Sequence, residues 1–399
     1  MRQTNKIRKG IAWLLCTVLV LGILPMLPQM SMQISAAENA ASVFVDGVEL
    51  HAGGKEYFKN GDTADSGATG TYEDHSAYYD TAGELWLNNL EAHTIKANGN
   101  LTIYVCNNQA TNTNIVTATQ NETAIEVTGY LTIRYGGYGG GTGSLTVESD
   151  GKEAIQAGSG MTVSDGVEVK VRAKSGATAI SSGGVLKIDG IRTKLEAAGD
   201  GSTGKGIFAQ QSIYVKNSAV LTAFGGAAAY ESPSGIDKSG YGYEDYNVFT
   251  GDAAPGTQAA KDTVLDGYKY IRIEPTGVAN VKTLTELQAA AQNQYISLIN
   301  VMNDITITDT VYVRRAVTIQ SPDASNVSKL IRGKSHTDVI LDFDGANGHK
   351  SDVVTLKNII VDGNKDGNTQ TASPALKSKS ILVNLESGTV IENNHAKEG

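Results

Sequence analysis

Apolar residues recur along the middle of the chain in a fixed register. Ile95 is followed by Leu101 and Ile103, Ile125 by Leu131 and Ile133, and Ile155 by Met161 and Val163. The same spacing returns at Ile180, Leu186 and Ile188, and at Ile207, Ile213 and Val215. Successive copies begin 30, 30, 25 and 27 residues apart, and each isoleucine follows a small or polar residue: Thr94, Ala124, Ala154, Ala179 or Gly206. A second alternating run follows in most copies, at Leu145 and Val147, at Val167, Val169 and Val171, at Leu195 and Ala197, and at Val220. Apolar residues two apart mark a strand with one buried face, and a helix would scatter them. Copies of this length, each with two or three short strands between Gly, Asn, Asp and Ser, predict an all-β right-handed parallel β-helix. One coil cannot bury its inward face alone, so each stacks its aliphatic side chains on the next. A β-sandwich or meander would repeat its strands every 8 to 12 residues or so without the longer period. Leu85-Trp86-Leu87-Asn88-Asn89-Leu90 reads as a strand of the coil ahead of the first clear copy.

The pattern fades after Ala223. Residues 229–260 are rich in Gly, Pro, Asp and Tyr and predict a long loop or capping excursion, and 268–273 predict a closing strand. The first β-helix unit is thus expected over residues 38–275, with a linker at 276–282 and a second unit over 283–399. That unit opens with Thr283-Leu284-Thr285-Glu286, a capping box, and Leu284, Leu287, Ala290 and Ala291 share one face of the short helix it starts. Only strand patterns follow, which predicts a second solenoid whose sheet edge is covered by that helix.

Residues 1–37 read as a secretory signal. Arg2, Lys6, Arg8 and Lys9 form a basic start, residues 11–27 are largely apolar, and Ser35-Ala36-Ala37 offers a cleavage site. Pro25 and Pro28 end the apolar run short of a comfortable membrane span, and Leu15 before Cys16 does not suit a lipid-attachment motif. Cleavage would remove four cations and no carboxylate, taking the net charge from -9 to -13. An acidic chain makes nucleic acid or an anionic membrane surface a poor partner. The expected location is therefore outside the cell, with no membrane insertion after cleavage. Cys106 is then the one cysteine left, which excludes a disulfide framework and a cysteine-based zinc site.

The order Val281-Lys282-Thr283-Leu284-Thr285-Glu286-Leu287-Gln288-Ala289-Ala290, Asn303-Asp304-Ile305-Thr306-Ile307, Leu356-Lys357-Asn358-Ile359-Ile360-Val361-Asp362-Gly363-Asn364 and Ser387-Gly388-Thr389-Val390-Ile391-Glu392-Asn393-Asn394 is similar to pectate-lyase-like right-handed β-helix repeats of Gram-positive surface proteins. The stretch 44–275 resembles a carbohydrate-binding β-helix module that precedes such repeats. The resemblance implies a fold and a surface location more than an activity. It also implies further coils after Asn394, so the sequence reads as a fragment.

Candidate chemistry is sparse. Asp362, Asn364 and Asp366 place oxygen ligands at alternate positions, as in the first half of a Ca²⁺ loop, but Ser373 stands where the closing glutamate belongs. Asp-Gly and Gly-Asn pairs also make tight turns without metal. A polysaccharide lyase would need carboxylates such as Asp342 and Asp344 near a base such as Arg314 or Arg315, and a hydrolase would need a spaced carboxylate pair. The six histidines show no ligand spacing. Binding is better supported. Tyrosines outnumber the other aromatics, 17 against 6 Phe and 2 Trp, and many sit in irregular segments: Tyr78, Tyr79, Tyr135, Tyr138, and the cluster Tyr241, Tyr243, Tyr246 with Phe249. Such rings offer a face for a sugar, or else seal the flank of the helix against water. The expected function is a secreted or cell-surface adhesin-like protein holding glycan, or a host or matrix surface, with that cluster as its site. A Ca²⁺-dependent lyase or hydrolase, and a purely structural stalk, are the alternatives. Trp86, facing away from Leu85 and Leu87, is either a second exposed platform or part of the packing on the other side.

Overall fold

The structure is a computed structural model that describes residues 38–394 except 52, 55, 72–73, 107–112, 120, 138–141, 345–351 and 369–372. The expected signal segment and Tyr138 lie outside the described residues. The described residues form a β-solenoid of about 11 turns with a single α-helix, α1 (Leu284–Gln292).

The repeat fixes the register of the first coils. Ile95, Ile125, Ile155, Ile180 and Ile207 pair one to the next in parallel strands of a first sheet. Leu101, Leu131, Met161, Leu186 and Ile213 do the same in a second sheet, as do Ile103, Ile133, Val163, Ile188 and Val215. All are buried in one continuous core. Each such side chain contributes about 1.5 to 3 kcal/mol when removed from water. Several corners between these two sheets carry glycine where coils touch. A Cβ on Gly158 would sit 2.1 Å from the carbonyl oxygen of Thr128, and one on Gly183 1.9 Å from that of Gly158. No other residue lets the backbone pass so close.

The third sheet stacks Asn114–Thr117, Ser144–Asp150, Glu168–Lys174, Lys194–Gly199 and Val220–Gly225 in parallel. At the start of the solenoid the hairpin Ser42–Val45 and Val48–His51, turning at Asp46-Gly47 with positive φ, lies antiparallel on Ile95–Ala97. Ala77–Tyr79 caps the second sheet in the same way. Antiparallel caps reverse the chain and protect edges that parallel strands would leave open.

The middle of the chain departs from the sequence reading. Residues 229–260, expected as a loop, contain the strands Ala228–Glu231 and Ile236–Asp237, which finish a partial coil, and the hairpin Glu244–Gly251 with Thr257–Ala259. The stretch 276–282, expected as a linker, is extended: one strand, Tyr270–Val281, runs through it. Its first half pairs antiparallel with Val220–Gly225 and its second half parallel with Leu298–Val301, while Glu244–Gly251 lies antiparallel along it. The segment satisfies its backbone groups from neighbouring strands, so the Gly and Pro within it do not release it as a loop. The direction of the strands in the third sheet therefore reverses at this seam.

Beyond the seam, α1 has the predicted capping box: Thr283 Oγ1 accepts from Glu286 N at 3.2 Å and Glu286 Oε2 from Thr283 N at 3.2 Å. It buries Leu287, Ala290 and Ala291 against a second core, separate from the first, built from coils such as Val317–Gln320, Lys329–Arg332 and Leu341–Phe343.

Candidate functional site

The tyrosine cluster does not form a platform. Tyr241 is 2% exposed, donates its hydroxyl to the Ala219 carbonyl, and stacks on Tyr246 with centroids 4.8 Å apart. Burial raises both phenols above their ordinary range, Tyr241 by far the more. Tyr243 is half-buried against the second core. These rings seal the seam against water. Phe249 stays on the outer face, with the Arg272 guanidinium 5.1 Å above its ring.

The residues of the candidate Ca²⁺ loop are spent on the turn. Asp362 Oδ1 accepts from Asn364 N at 2.8 Å and from Asn393 Nδ2 at 3.1 Å, and Asn364 Nδ2 donates to the Arg332 carbonyl at 2.8 Å. Asn364 is left-handed, with φ 52°, and Asp366 points to solvent. Among the described residues no three His, Cys, Asp or Glu side chains gather as metal ligands. Asp342 pairs with Lys377 at 3.1 Å, and Arg314 stacks over Tyr312. Arg315 turns inward instead, donating to the carbonyls of Ala290 at the end of α1 and of Ala316, each at 3.0 Å, and burial lowers its pKa to about 10. It fastens the helix to the coils. Cys106 is half-buried with its thiol pushed up to about 11 by burial, which suits packing and not reactivity.

Trp86 does sit on the outer flank of the second sheet, in one row with Tyr78, Tyr104 and Arg134. Its face is already taken. Trp86 and Tyr104 stack with centroids 4.1 Å apart and planes 6° from parallel, and the Arg134 guanidinium covers Tyr104 at 5.3 Å. Arg134 pairs in turn with Asp165 at 2.7 Å, and Trp86 Nε1 donates to Asp80. A sugar stacks on an open face, and this ladder spends its faces on holding rungs together.

A concave site lies on the third sheet, at the seam. A groove of about 550 Å³ opens over the outer face of Val220–Gly225. Val220, Thr222 and Phe224 of that strand point outward and form its floor with Ala198, while Lys194 and Glu196 stand on one side and Tyr270, Arg272 and Glu274 on the other. Ala254 overhangs it from the adjoining hairpin. A second hollow of about 340 Å³ shares Glu196 and Ala198 and continues over Lys170, Arg172 and Glu148. Together they cross five rungs, roughly 20 Å at the usual spacing between paired strands. Small side chains make the depth, because long ones flank Ala198 and Thr222 in the same register. Phe224 is partly exposed and, among the described residues, is in no ring stack or cation contact of the kind that covers Tyr104 and Phe249. Of the residues expected to bind, only Phe249 borders this place, through Arg272.

The fold defines a right-handed parallel β-helix protein. Residues 278–393 match the family described as "Putative pectate lyase-like adhesive domain", which supports an adhesin-like surface protein. No curated protein and no solved structure matches the chain. Among the described residues no helix is long and apolar enough to cross a membrane.

Proposed function

We propose that this chain is a secreted or cell-surface adhesin that holds glycan along the third-sheet groove, with Phe224 as the stacking ring and the flanking charged side chains as partners for hydroxyl groups. The groove at the seam carries this reading. It combines a concave, solvent-open floor, one uncovered aromatic face and fixed polar walls, the combination that sugar sites use. It also runs along the solenoid axis, so a polymer can lie across successive rungs. The adhesive-domain match to residues 278–393 agrees with attachment as the task, and the groove lies just before that segment.

The test is retention of the protein on insoluble polysaccharides, with and without EDTA, with the supernatant analysed for oligosaccharide. Retention without released product is expected, and Phe224→Ala should weaken it about tenfold, the loss of roughly 1.4 kcal/mol of stacking. Product release would replace the adhesin with an enzyme. Equal retention of the folded variant would remove the groove from the account.

A further inference from the structure

We infer that the groove selects uncharged glycan over polyuronate or cationic polysaccharide, an inference that rests on the binding reading above. Four cations line the two hollows: Lys170, Arg172, Lys194 and Arg272. Four carboxylates face them: Glu148, Glu196, Asp200 and Glu274. The lining is therefore neutral, on a chain of net charge -9. A polyanion gains no net attraction from the lining and meets repulsion from the rest of the surface.

The cations are also engaged. Arg172 donates through Nε at 2.9 Å and Nη2 at 2.6 Å to a single oxygen of Asp200. Arg272 donates through Nε at 2.8 Å, and through Nη2, to one oxygen of Glu274. Each guanidinium thus spends on its own neighbour the two-pronged edge that would otherwise grip a sugar carboxylate. Lys170 and Lys194 share Glu168, at 3.3 and 3.9 Å. A hydroxyl, being both donor and acceptor, can bridge such an ion pair without breaking it, whereas a carboxylate must displace the resident one. Phe224 and the small floor residues then supply the apolar contact for a sugar ring. Neutral lining, occupied forks and an open ring are the features of a site for hydroxyl-rich, uncharged polymer.

The experiment measures retention of the full-length protein on a neutral glucomannan, on polygalacturonate and on chitosan, across a salt series from about 0.05 to about 0.5 M, where screening of exposed charges becomes strong. The expected result is preference for the neutral polymer, with retention changing less than about twofold across the series. Phe224→Ala and the groove-filling Ala198→Leu should each lower it about tenfold while far-UV circular dichroism stays native. Preference for polygalacturonate or chitosan, lost as salt rises and still sensitive to Phe224→Ala, would overturn the neutrality and keep the groove. Failure of the folded protein to be retained on any of the three, or indifference of retention to both variants, would overturn the groove and the selectivity together.

Discussion

The coils before and after the seam solve the same packing problem differently. In the first set the three positions of the repeat are apolar in every copy, the polar side chains buried beside them, such as Ser149, Ser182 and Thr193, are small and uncharged, and contact between rungs is so close at the corners that glycine is required at 158 and 183. The second set admits a charge. Arg332, fully buried, pairs in register with Ile307, and its guanidinium donates to the carbonyls of Asp338, Ser373 and Pro374. Asn368 beside it donates to the carbonyls of Gly333 and His336 at 2.9 and 2.7 Å. Regular coils pair backbone with backbone, and aliphatic packing suffices. Where coils carry longer excursions, stray carbonyls turn inward and a buried donor has to satisfy them. Regularity of sequence and absence of buried charged side chains therefore go together.

The largest expected difference is between two glycines, 183 of the first set and 333 of the second, although Gly363 of the second set also lies against backbone, its Cβ position 2.6 Å from the Asn393 carbonyl oxygen. Gly183→Val should cost about 3 kcal/mol or leave the protein unfolded, since the clash is with backbone and cannot be relieved by a rotamer change. Gly333, at a comparable place in the second set, has its nearest atom, the Ile307 carbonyl oxygen, at 3.1 Å, so Gly333→Ala should cost under about 1 kcal/mol. Urea midpoints of the two variants test this, and equal losses would contradict the distinction. The next effect is at Arg332. Arg332→Ala strands three carbonyls and opens a void, for a loss of about 2 to 3 kcal/mol. Arg332→Met fills the void but leaves the carbonyls unmet, so it should recover only part of that. Full recovery by methionine would mean that the arginine is merely packing.

The regular set was legible because its period is written in the same residue class at the same spacing, which only in-register stacking rewards. The groove was not, for a reason that can be traced to one position. Reading Val220 as the inward residue of the last run shifts the strand by one, and a one-residue slip exchanges its faces. In the structure Leu221 and Ala223 point inward, so Val220, Thr222 and Phe224 face out. The signal was present: Leu221 and Ala223 continue the alternation of Leu195 and Ala197. The other wall comes from Tyr270, Arg272 and Glu274, some 50 residues on, and no local pattern announces that this strand folds back antiparallel. The tyrosines were misleading for a related reason. Tyr241 and Tyr246 lie in an irregular sequence, yet irregular segments that close a core bury their rings as readily as strands do.

At the seam itself the charge is a carboxylate. Glu244 is buried, with Oε1 accepting from Asn293 Nδ2 at 3.0 Å and Asn293 also donating to Ser218 at 3.1 Å, so the three tie the first coils to the end of α1. Its Oε2 has no partner, and burial raises its pKa above the ordinary 4.5. The folded state thus holds the proton more tightly than the unfolded one. The stabilisation this provides is complete below pH 4.5 and is lost as pH rises through the folded value. Glu244→Gln should remove that slope and leave the protein at neutral pH as stable as the native chain or up to about 1 kcal/mol more so. Thermal melts at pH 4 and pH 7 measure it, and a variant less stable than the native chain at pH 7 but not at pH 4 would show the charge to be favourable.

The smallest effect belongs to the aromatic ladder. If its rings serve to lock rungs together, Arg134→Ala should cost no more than about 1 kcal/mol, the size of one partly exposed cation–π contact, and should leave glycan retention unchanged. Trp86 reports on this directly, because the only other tryptophan is Trp13, within the expected signal segment. Freed from the guanidinium, Tyr104 covers the indole less firmly, and quenching of Trp86 by acrylamide should rise in the chain lacking residues 1–37. If retention falls instead, while Phe224→Ala does nothing, the binding face is the second sheet, and the rings in that row meet the ligand by their edges.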